Sequence, residues 1–242
     1  MKRTALFLVA LLVFSTPLHS ANAPDFSEFQ TVVDNYNDYS LEQRDSAIKK
    51  LQALKTDSLE KNYVLGMLNF IQGFDTMRTI ARFYSSKPSF EEVLAKPKVK
   101  NYFNKAEKYY KLVAEKNPDY KHNYCKLAEV YSYAFNEKGI VAITRQVGEA
   151  PQTANIETCK KSIQKYALNF SNKGYAKLTK QVYITAIKYW QPYPDYMPEA
   201  IGDIEYKFGN PQNARSWWIR CVNEASTQRL NRCKHKLQQL NK

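Results

Sequence analysis

Apolar and polar positions recur along this chain with the period of an α-helix. In the first patterned stretch, Phe29, Val32 and Val33 follow the three-to-four residue spacing that places side chains on one helix face. Glycine is scarce, at 7 residues, and alternating runs of β-branched residues are few, which argues against strands. The pattern predicts an all-α protein with helices near 25–38, 40–55, 57–73, 77–84, 101–116, 121–136, 155–171, 173–190, 196–208, 211–225 and 228–240.

Helix boundaries are marked in only part of the chain. Ser40 and Gln43 have the spacing of a capping box, in which each side chain bonds the other residue's backbone N–H. Gly73 predicts the end of the third helix. Segment 85–99 contains two prolines and predicts a connection with room for a short helix. Segment 137–154 is the least readable part of the chain, so a short helix and an irregular loop both stay open.

The N-terminus has the pattern of a secretory signal peptide over residues 1–23. Lys2 and Arg3 precede an apolar run from Ala5 to Phe14, which is too short to span a bilayer. Small residues follow, and we expect cleavage between 20 and 23. The mature chain is then exported, to the periplasm or alternatively by secretion, and no later apolar run is long enough for a transmembrane span.

The mature chain is strongly basic. The full sequence has 36 Lys and Arg against 23 Asp and Glu, a net charge of +13. Cleavage removes Lys2 and Arg3, so 34 basic residues remain against 23 acidic ones, a net charge of +11. Such a charge attracts polyanions, and an anionic cell-envelope polymer is a possible partner. Export makes nucleic acid an unlikely one.

Four cysteines lie in the mature chain, and an exported protein is expected to pair them. The helices near 211–225 and 228–240 should form an antiparallel hairpin about residue 227. Cys221 and Cys233 each lie six residues from that centre, at the same height, which predicts a disulfide between them. Cys125 is then left to pair with Cys159.

Few groups in the mature sequence are suited to catalysis. Its histidines are His122 and His235, and the metalloprotease, serine-hydrolase and phosphate-loop motifs are missing. His122 and Cys125 are three residues apart, as a Cys–His nucleophile needs, but we expect the cysteine to be oxidised. The aromatic segment 189–198 is expected to be a packed interhelix loop, with stacking on a sugar or peptide as the alternative. We predict no catalytic residue, metal or cofactor, and a protein that is not an enzyme.

Small and aromatic residues recur at fixed spacings in two parts of the chain. In residues 105–131 the matching positions are Ala106, Tyr110, Val113 and Pro118 in one helix and Tyr124, Leu127, Ala128 and Tyr131 in the next. In residues 195–228 they are Gly202, Gly209, Ala214, Trp218 and Cys221. These spacings resemble the helix–turn–helix unit of the tetratricopeptide repeat family, and a weaker copy lies in 57–84 through Leu65 and Gly66.

The resemblance implies an architecture. Antiparallel helix pairs would stack as a right-handed solenoid whose concave face is made by the first helix of each pair. Residues 24–99 would form an N-terminal helical region with a degenerate repeat. Residues 100–242 would hold the repeats and a C-terminal capping helix.

The resemblance also implies a binding groove on the concave face. Its positions fall on His122, Cys125, Glu129, Ser132 and Tyr133 in one repeat and on Tyr196, Glu199, Asp203, Tyr206 and Lys207 in the other. This Tyr-rich surface suits a protein or peptide partner. Some repeats of the family clamp a carboxylate with Lys and Asn, but Cys125 and Glu129 depart from that pattern.

Two functions follow as hypotheses. The first is an exported scaffold or adaptor that binds a protein or peptide through the Tyr-rich groove. The second is a cell-wall or polyanion-associated binding protein or enzyme that uses its basic surface.

Overall fold

The computed structural model describes residues 25–84 and 88–240, which are helical throughout and contain no strand. The predicted all-α class is therefore confirmed for this part of the chain, whereas the predicted signal peptide lies outside the described residues. The helices are α1 (Ser27–Asp34), α2 (Leu41–Ala53), α3 (Leu59–Arg82), α4 (Phe90–Leu94), α5 (Pro97–Lys116), α6 (Asn123–Tyr133), α7 (Glu137–Glu149), α8 (Ala154–Asn172), α9 (Ala176–Tyr189), α10 (Met197–Lys207), α11 (Pro211–Glu224) and α12 (Thr227–Leu240). Short 3₁₀ turns lie at Tyr36–Asp38 and Tyr120–His122.

The predicted capping box starts α2. The Ser40 hydroxyl accepts a hydrogen bond from the Gln43 backbone N–H at 3.2 Å, and the Ser40 backbone N–H donates to Gln43 Oε1 at 2.7 Å. Two N–H groups that the first turn leaves without helical partners are thus satisfied, which contributes about 1 kcal/mol.

Gly73 does not end a helix, contrary to the sequence prediction. The predicted helices at 57–73 and 77–84 are one continuous helix, α3. A Cβ added at Gly73 would lie 3.1 Å from the Tyr102 Cβ, and one at Gly66 would lie 2.7 Å from a ring carbon of Tyr110. These glycines therefore let α5 approach α3 closely. In the sequence alone, a glycine that serves such packing looks the same as a glycine that ends a helix.

The unreadable segment 137–154 contains a regular helix, α7. It buries Ile140, Ile143 and Val147 on one face, together with the polar Thr144, whose hydroxyl donates to the Ile140 carbonyl at 2.7 Å. The Trp190 indole N–H in turn donates to the Thr144 carbonyl at 2.8 Å. Ile140, Ile143 and Val147 have the spacing of one helix face, so the sequence does contain a helical period in this segment.

Helices close together in the chain pack in pairs, namely α3 with α5 across the short α4, α6 with α7, α8 with α9, and α10 with α11. In addition α6 packs on α8 and α7 on α9, which gives two helical layers in the middle of the chain. One large apolar core runs through these pairs from Tyr63 to Ile201. A second core joins α1, α2 and α3, and a small third one surrounds Trp218. The right-handed solenoid stays a prediction.

Both predicted cysteine pairs lie at bonding distance. The Cα atoms of Cys221 and Cys233 are 6.2 Å apart, and those of Cys125 and Cys159 are 4.6 Å apart. The Cys125–Cys159 pair joins α6 to α8, and the Cys221–Cys233 pair joins α11 to α12. Such pairs are typical of oxidising compartments. In the described part of the chain, no helix is long and apolar enough to cross a membrane.

Candidate binding cleft

A cleft of about 350 Å³ opens between the N-terminal helix α1, the long helix α3 and the predicted groove helix α6. We call it the aromatic cleft; its aromatic lining is Tyr36, Phe70, Phe74, Tyr110 and Tyr133, its charged lining is Asp34, Lys126 and Glu129, and Val33, Met67 and Ile71 complete it. Apolar walls with a few convergent polar groups are the usual composition of a ligand site.

Three rings form one wall of the aromatic cleft. Phe70 and Phe74 lie four residues apart on α3, so they share a helix face, and their ring centroids are 6.4 Å apart. Tyr133 of α6 meets Phe74 edge-to-face at 5.1 Å and Phe70 at 5.6 Å. Such pairs hold one another in place. All three rings are only half-buried, so they still offer apolar surface to a ligand.

Tyr110 of α5 lies at the floor of the cleft. Its side chain is 0 % exposed and packs over Gly66. Its hydroxyl has no hydrogen-bond partner among the described residues. Burial, together with the charge of Glu129, raises the pKa of Tyr110 well above its usual value, so the phenol stays protonated. A buried hydroxyl without a partner costs about 1–3 kcal/mol, which a ligand group can recover.

The polar wall of the cleft carries two carboxylates and one ammonium. Lys126 and Glu129 lie one turn apart on α6, and Lys126 Nζ contacts Glu129 Oε2 at 3.0 Å. Asp34 at the end of α1 accepts a hydrogen bond from Gln30 Nε2 at 2.8 Å. The cleft lining is thus net negative, although the whole chain is strongly positive.

A buried arginine fixes the N-terminal side of the cleft. The Arg44 guanidinium donates to the Tyr36 carbonyl at 2.7 Å and to Gln72 Oε1 at 3.0 Å, and it pairs with Asp75 at 2.8 Å. These bonds tie the turn that carries Tyr36 to α2 and α3. Because these three acceptors hold the buried guanidinium, Arg44 stabilises this position of the Tyr36 turn relative to α2 and α3.

The first predicted groove set lies mostly together. Glu129 and Tyr133 line the aromatic cleft, and Ser132 with Tyr133 borders an adjoining cavity of about 80 Å³. Cys125 lies on the same helix and is bonded to Cys159. His122 precedes α6 in an exposed turn with a φ of 58° and is not part of the cleft lining.

The second predicted groove set differs from the expectation at its two carboxylates. Glu199 is buried and accepts hydrogen bonds from Arg229, Arg232 and Lys236 of α12. Asp203 accepts from Lys236 at 2.6 Å and is therefore also engaged by the last helix. These carboxylates anchor α12 in place of facing an open groove, because α12 brings three cations to them.

The rest of the second set is divided between core and surface. Tyr196 is half-buried, donates its hydroxyl to Gln164 Oε1 at 3.1 Å and packs edge-to-face on Tyr183. Tyr206 is 57 % exposed and lies 5.6 Å from the Trp218 ring, and Lys207 is exposed. Tyr206 and Lys207 are thus accessible to a partner, and Asp203 is exposed as well but is paired with Lys236.

Sequence reasoning missed the N-terminal half of the cleft. Asp34, Tyr36, Phe70 and Phe74 all lie in the region 24–99, to which the repeat resemblance assigned only a degenerate copy. A usable signal was present, because two phenylalanines four residues apart on a helix form an aromatic face. Nothing in the sequence indicated which other helix this face meets.

The cleft offers a ligand apolar rings and three charged side chains. Within residues 25–84 and 88–240, no group of three or more His, Cys, Asp and Glu side chains is placed to hold a metal ion. Comparison of the sequence with protein-family profiles gives no match, and comparison with curated proteins gives none either. The function is therefore argued from the geometry of the cleft.

Proposed function

We propose that this protein is an exported helical scaffold that binds a segment of a partner protein in the aromatic cleft. The observation that carries the proposal is the cluster of Phe70, Phe74 and Tyr133, which are partly exposed beside the buried hydroxyl of Tyr110, a group without a partner among the described residues. Aromatic side chains around a cleft are the usual anchors of protein interfaces. The proposal involves no catalytic step and no cofactor.

Two further observations support a scaffold outside the cytoplasm. The N-terminal sequence has the order of charged, apolar and small residues that a secretory signal needs. Both cysteine pairs are at bonding distance, as expected in an oxidising compartment. Consecutive helix pairs in two layers are compatible with a right-handed tetratricopeptide-like solenoid, and we include that arrangement in the proposal.

The binding free energy depends on the apolar area that the three rings still expose. Covering a large apolar side chain contributes about 1.5–3 kcal/mol, and three half-exposed rings can supply the core of a modest interface. The Arg44 contacts keep one wall preorganised, which lowers the entropy cost of binding. A partner side chain that enters the cleft therefore meets surfaces that need little rearrangement.

The polyanion hypothesis gains no support from the same geometry. Asp34 and Glu129 would repel an anionic chain from the aromatic cleft. Three cations of α12, namely Arg229, Arg232 and Lys236, are already paired with carboxylates of the protein. A polyanion would have to use cations elsewhere on the surface.

Site-specific photocrosslinking tests the proposal. Benzoylphenylalanine replaces Phe74 in the cleft, or Phe208, which is 44 % exposed, as the matched control. In cells that export the protein, we expect a discrete cross-linked partner from position 74 that disappears when Phe70→Ala is added. The same adducts from both positions, or none from position 74, would contradict partner binding in the cleft.

A further inference from the structure

We infer that the aromatic cleft recognises a cation, the lysine ammonium or arginine guanidinium of a partner side chain. This inference rests on the proposed function and adds the chemical class of the group that enters the cleft. It is carried by three features that meet there: a carboxylate with an unused oxygen, a buried hydroxyl without a partner, and a wall of aromatic rings.

The first feature is the charge of the lining. Asp34 and Glu129 contribute two negative charges, and Lys126 contributes one positive charge. Lys126 contacts only Oε2 of Glu129, so Oε1 accepts no hydrogen bond within the described part of the chain. A carboxylate oxygen beside apolar walls forms a strong, charge-assisted hydrogen bond with a donor that carries positive charge.

The second feature is the hydroxyl of Tyr110, which is fully buried at the floor and unpartnered within the described residues. A phenolic oxygen can accept a hydrogen bond as well as donate one. Glu129 and Tyr110 both line the aromatic cleft, from α6 and α5 respectively. One ligand group that enters the cleft can therefore address both.

The third feature is the ring wall. Aromatic faces attract a cation within about 6 Å of the ring centroid, because the face of the ring is electronegative. Phe74 already shows this behaviour, since the Arg78 guanidinium lies 5.6 Å from its centroid. Arg78 is balanced by Asp75, at 3.9 Å, and is not part of the cleft lining.

Other ligand classes fit these features less well. An anion would meet two carboxylates and a single ammonium. A purely apolar group would cover the partly exposed Glu129 without giving its Oε1 a hydrogen-bond partner, which weakens its binding. An ammonium has three donors, which Glu129 Oε1, the Tyr110 oxygen and a ring face can share.

Three probes of equal chain length isolate the contribution of charge: n-hexylammonium, 1-hexanol and hexanoate. Each is titrated into the mature protein labelled with ¹³C-methyl methionine and followed by NMR. Met67 lines the cleft, whereas Met197 is 0 % exposed in α10 and serves as the internal control. We expect a saturable shift of the Met67 methyl with n-hexylammonium, about tenfold tighter than with 1-hexanol, and none with hexanoate.

Variants assign the effect to the cleft carboxylates. Glu129→Gln should weaken n-hexylammonium binding about tenfold, and Asp34→Asn should weaken it about threefold because Asp34 is more exposed. The control Glu115→Gln removes an exposed carboxylate of α5 and should leave binding unchanged. Far-UV circular dichroism establishes that each variant is folded.

The outcomes separate this inference from the proposed function. Equal binding of 1-hexanol and n-hexylammonium, unchanged binding in both Glu129→Gln and Asp34→Asn, or no shift of Met67 with any probe would overturn the cation site. A cross-link from position 74 would still support the scaffold in each of those cases. Conversely, n-hexylammonium binding without a position-74 adduct would support the cation site and reject the partner-binding scaffold.

Discussion

The two predicted groove helices, α6 and α10, have different surroundings although the same repeat pattern located both. Glu129 of α6 has a side chain that is 25 % exposed and pairs with one lysine from its own helix. Glu199 of α10 has a side chain that is 10 % exposed and pairs with three cations from α12. The first carboxylate retains an oxygen for a ligand, whereas the second is fully engaged by the protein itself.

The difference teaches that an acid at a groove position takes its role from the helix that lies opposite it in the fold, whether or not that helix is adjacent in the chain. Burial alone would raise the pKa of Glu199, but hydrogen bonds and charges from Lys236 and Arg232 outweigh burial and lower it. The carboxylate is therefore ionised and committed to holding the last helix. At α6, by contrast, an open cleft remains between this helix, α1 and α3.

The largest effect on the free energy of unfolding is expected from the disulfide that links α12 to α11. Replacing Cys221 and Cys233 together by Ser removes a link that spans 12 residues, and the loss of this constraint on the unfolded chain should cost about 3 kcal/mol. Urea unfolding of the mature protein measures the change. An unchanged midpoint would mean that the ion pairs alone hold α12.

The next effect compares the two carboxylates directly. Glu199→Gln removes a charge that three cations share, and we expect a loss of about 2 kcal/mol of unfolding free energy. Glu129→Gln removes a partly exposed pair within one helix, and the loss should be below about 0.5 kcal/mol. Equal losses in urea unfolding would contradict the distinction between anchor and ligand site.

A smaller effect concerns the two accessible tyrosines. Tyr133→Ala removes a ring from the cleft and should weaken n-hexylammonium binding about fivefold in the Met67 titration. Tyr206→Ala is the matched control, because Tyr206 is exposed on α10 outside the cleft, and binding should not change. If Tyr133→Ala instead unfolds the protein, its ring belongs to the core and the cleft loses one wall.

The sequence was sufficient for the helical class, for most helix positions and for both cysteine pairs. The periodicity of the sequence shows which face of a helix is apolar. The equal spacing of Cys221 and Cys233 from the turn between their helices predicts that they lie opposite each other in the antiparallel pair. It was not sufficient at Gly73, where a small residue serves close packing against α5 and does not end the helix. In 137–154, by contrast, Ile140, Ile143 and Val147 have helical spacing, so α7 was open to prediction from the sequence.

The candidate site was only half predictable for a related reason. Glu129 and Tyr133 followed from the repeat resemblance, because α6 keeps the repeat's own spacing. Phe70 and Phe74 complete the cleft from a helix 50 or more residues earlier, and that contact depends on how α3, α5 and α6 stack. The engagement of Glu199 by α12 depends on the same kind of long-range placement.

The smallest effect is the pH dependence that Glu199 contributes where α12 packs on α10. Because the pKa of Glu199 in the folded protein lies below its ordinary value of 4.5, ionised Glu199 contributes stability that is fully present above pH 4.5. This contribution is lost as the pH falls through the lower, folded-state pKa. The effect should be smaller than that of Glu199→Gln, because part of the change occurs only at the lowest pH values.

Amide hydrogen exchange at pH 6 and pH 3, corrected for intrinsic rates, measures this effect helix by helix. We expect α12 to lose protection between the two pH values, and more than α6 does, since Glu199 has three cation partners and Glu129 has one. The Glu199→Gln variant is the control and should show a weaker pH dependence in α12. Equal loss of protection in α6 and α12 would indicate general acid unfolding, and the comparison between the two helices would then fail.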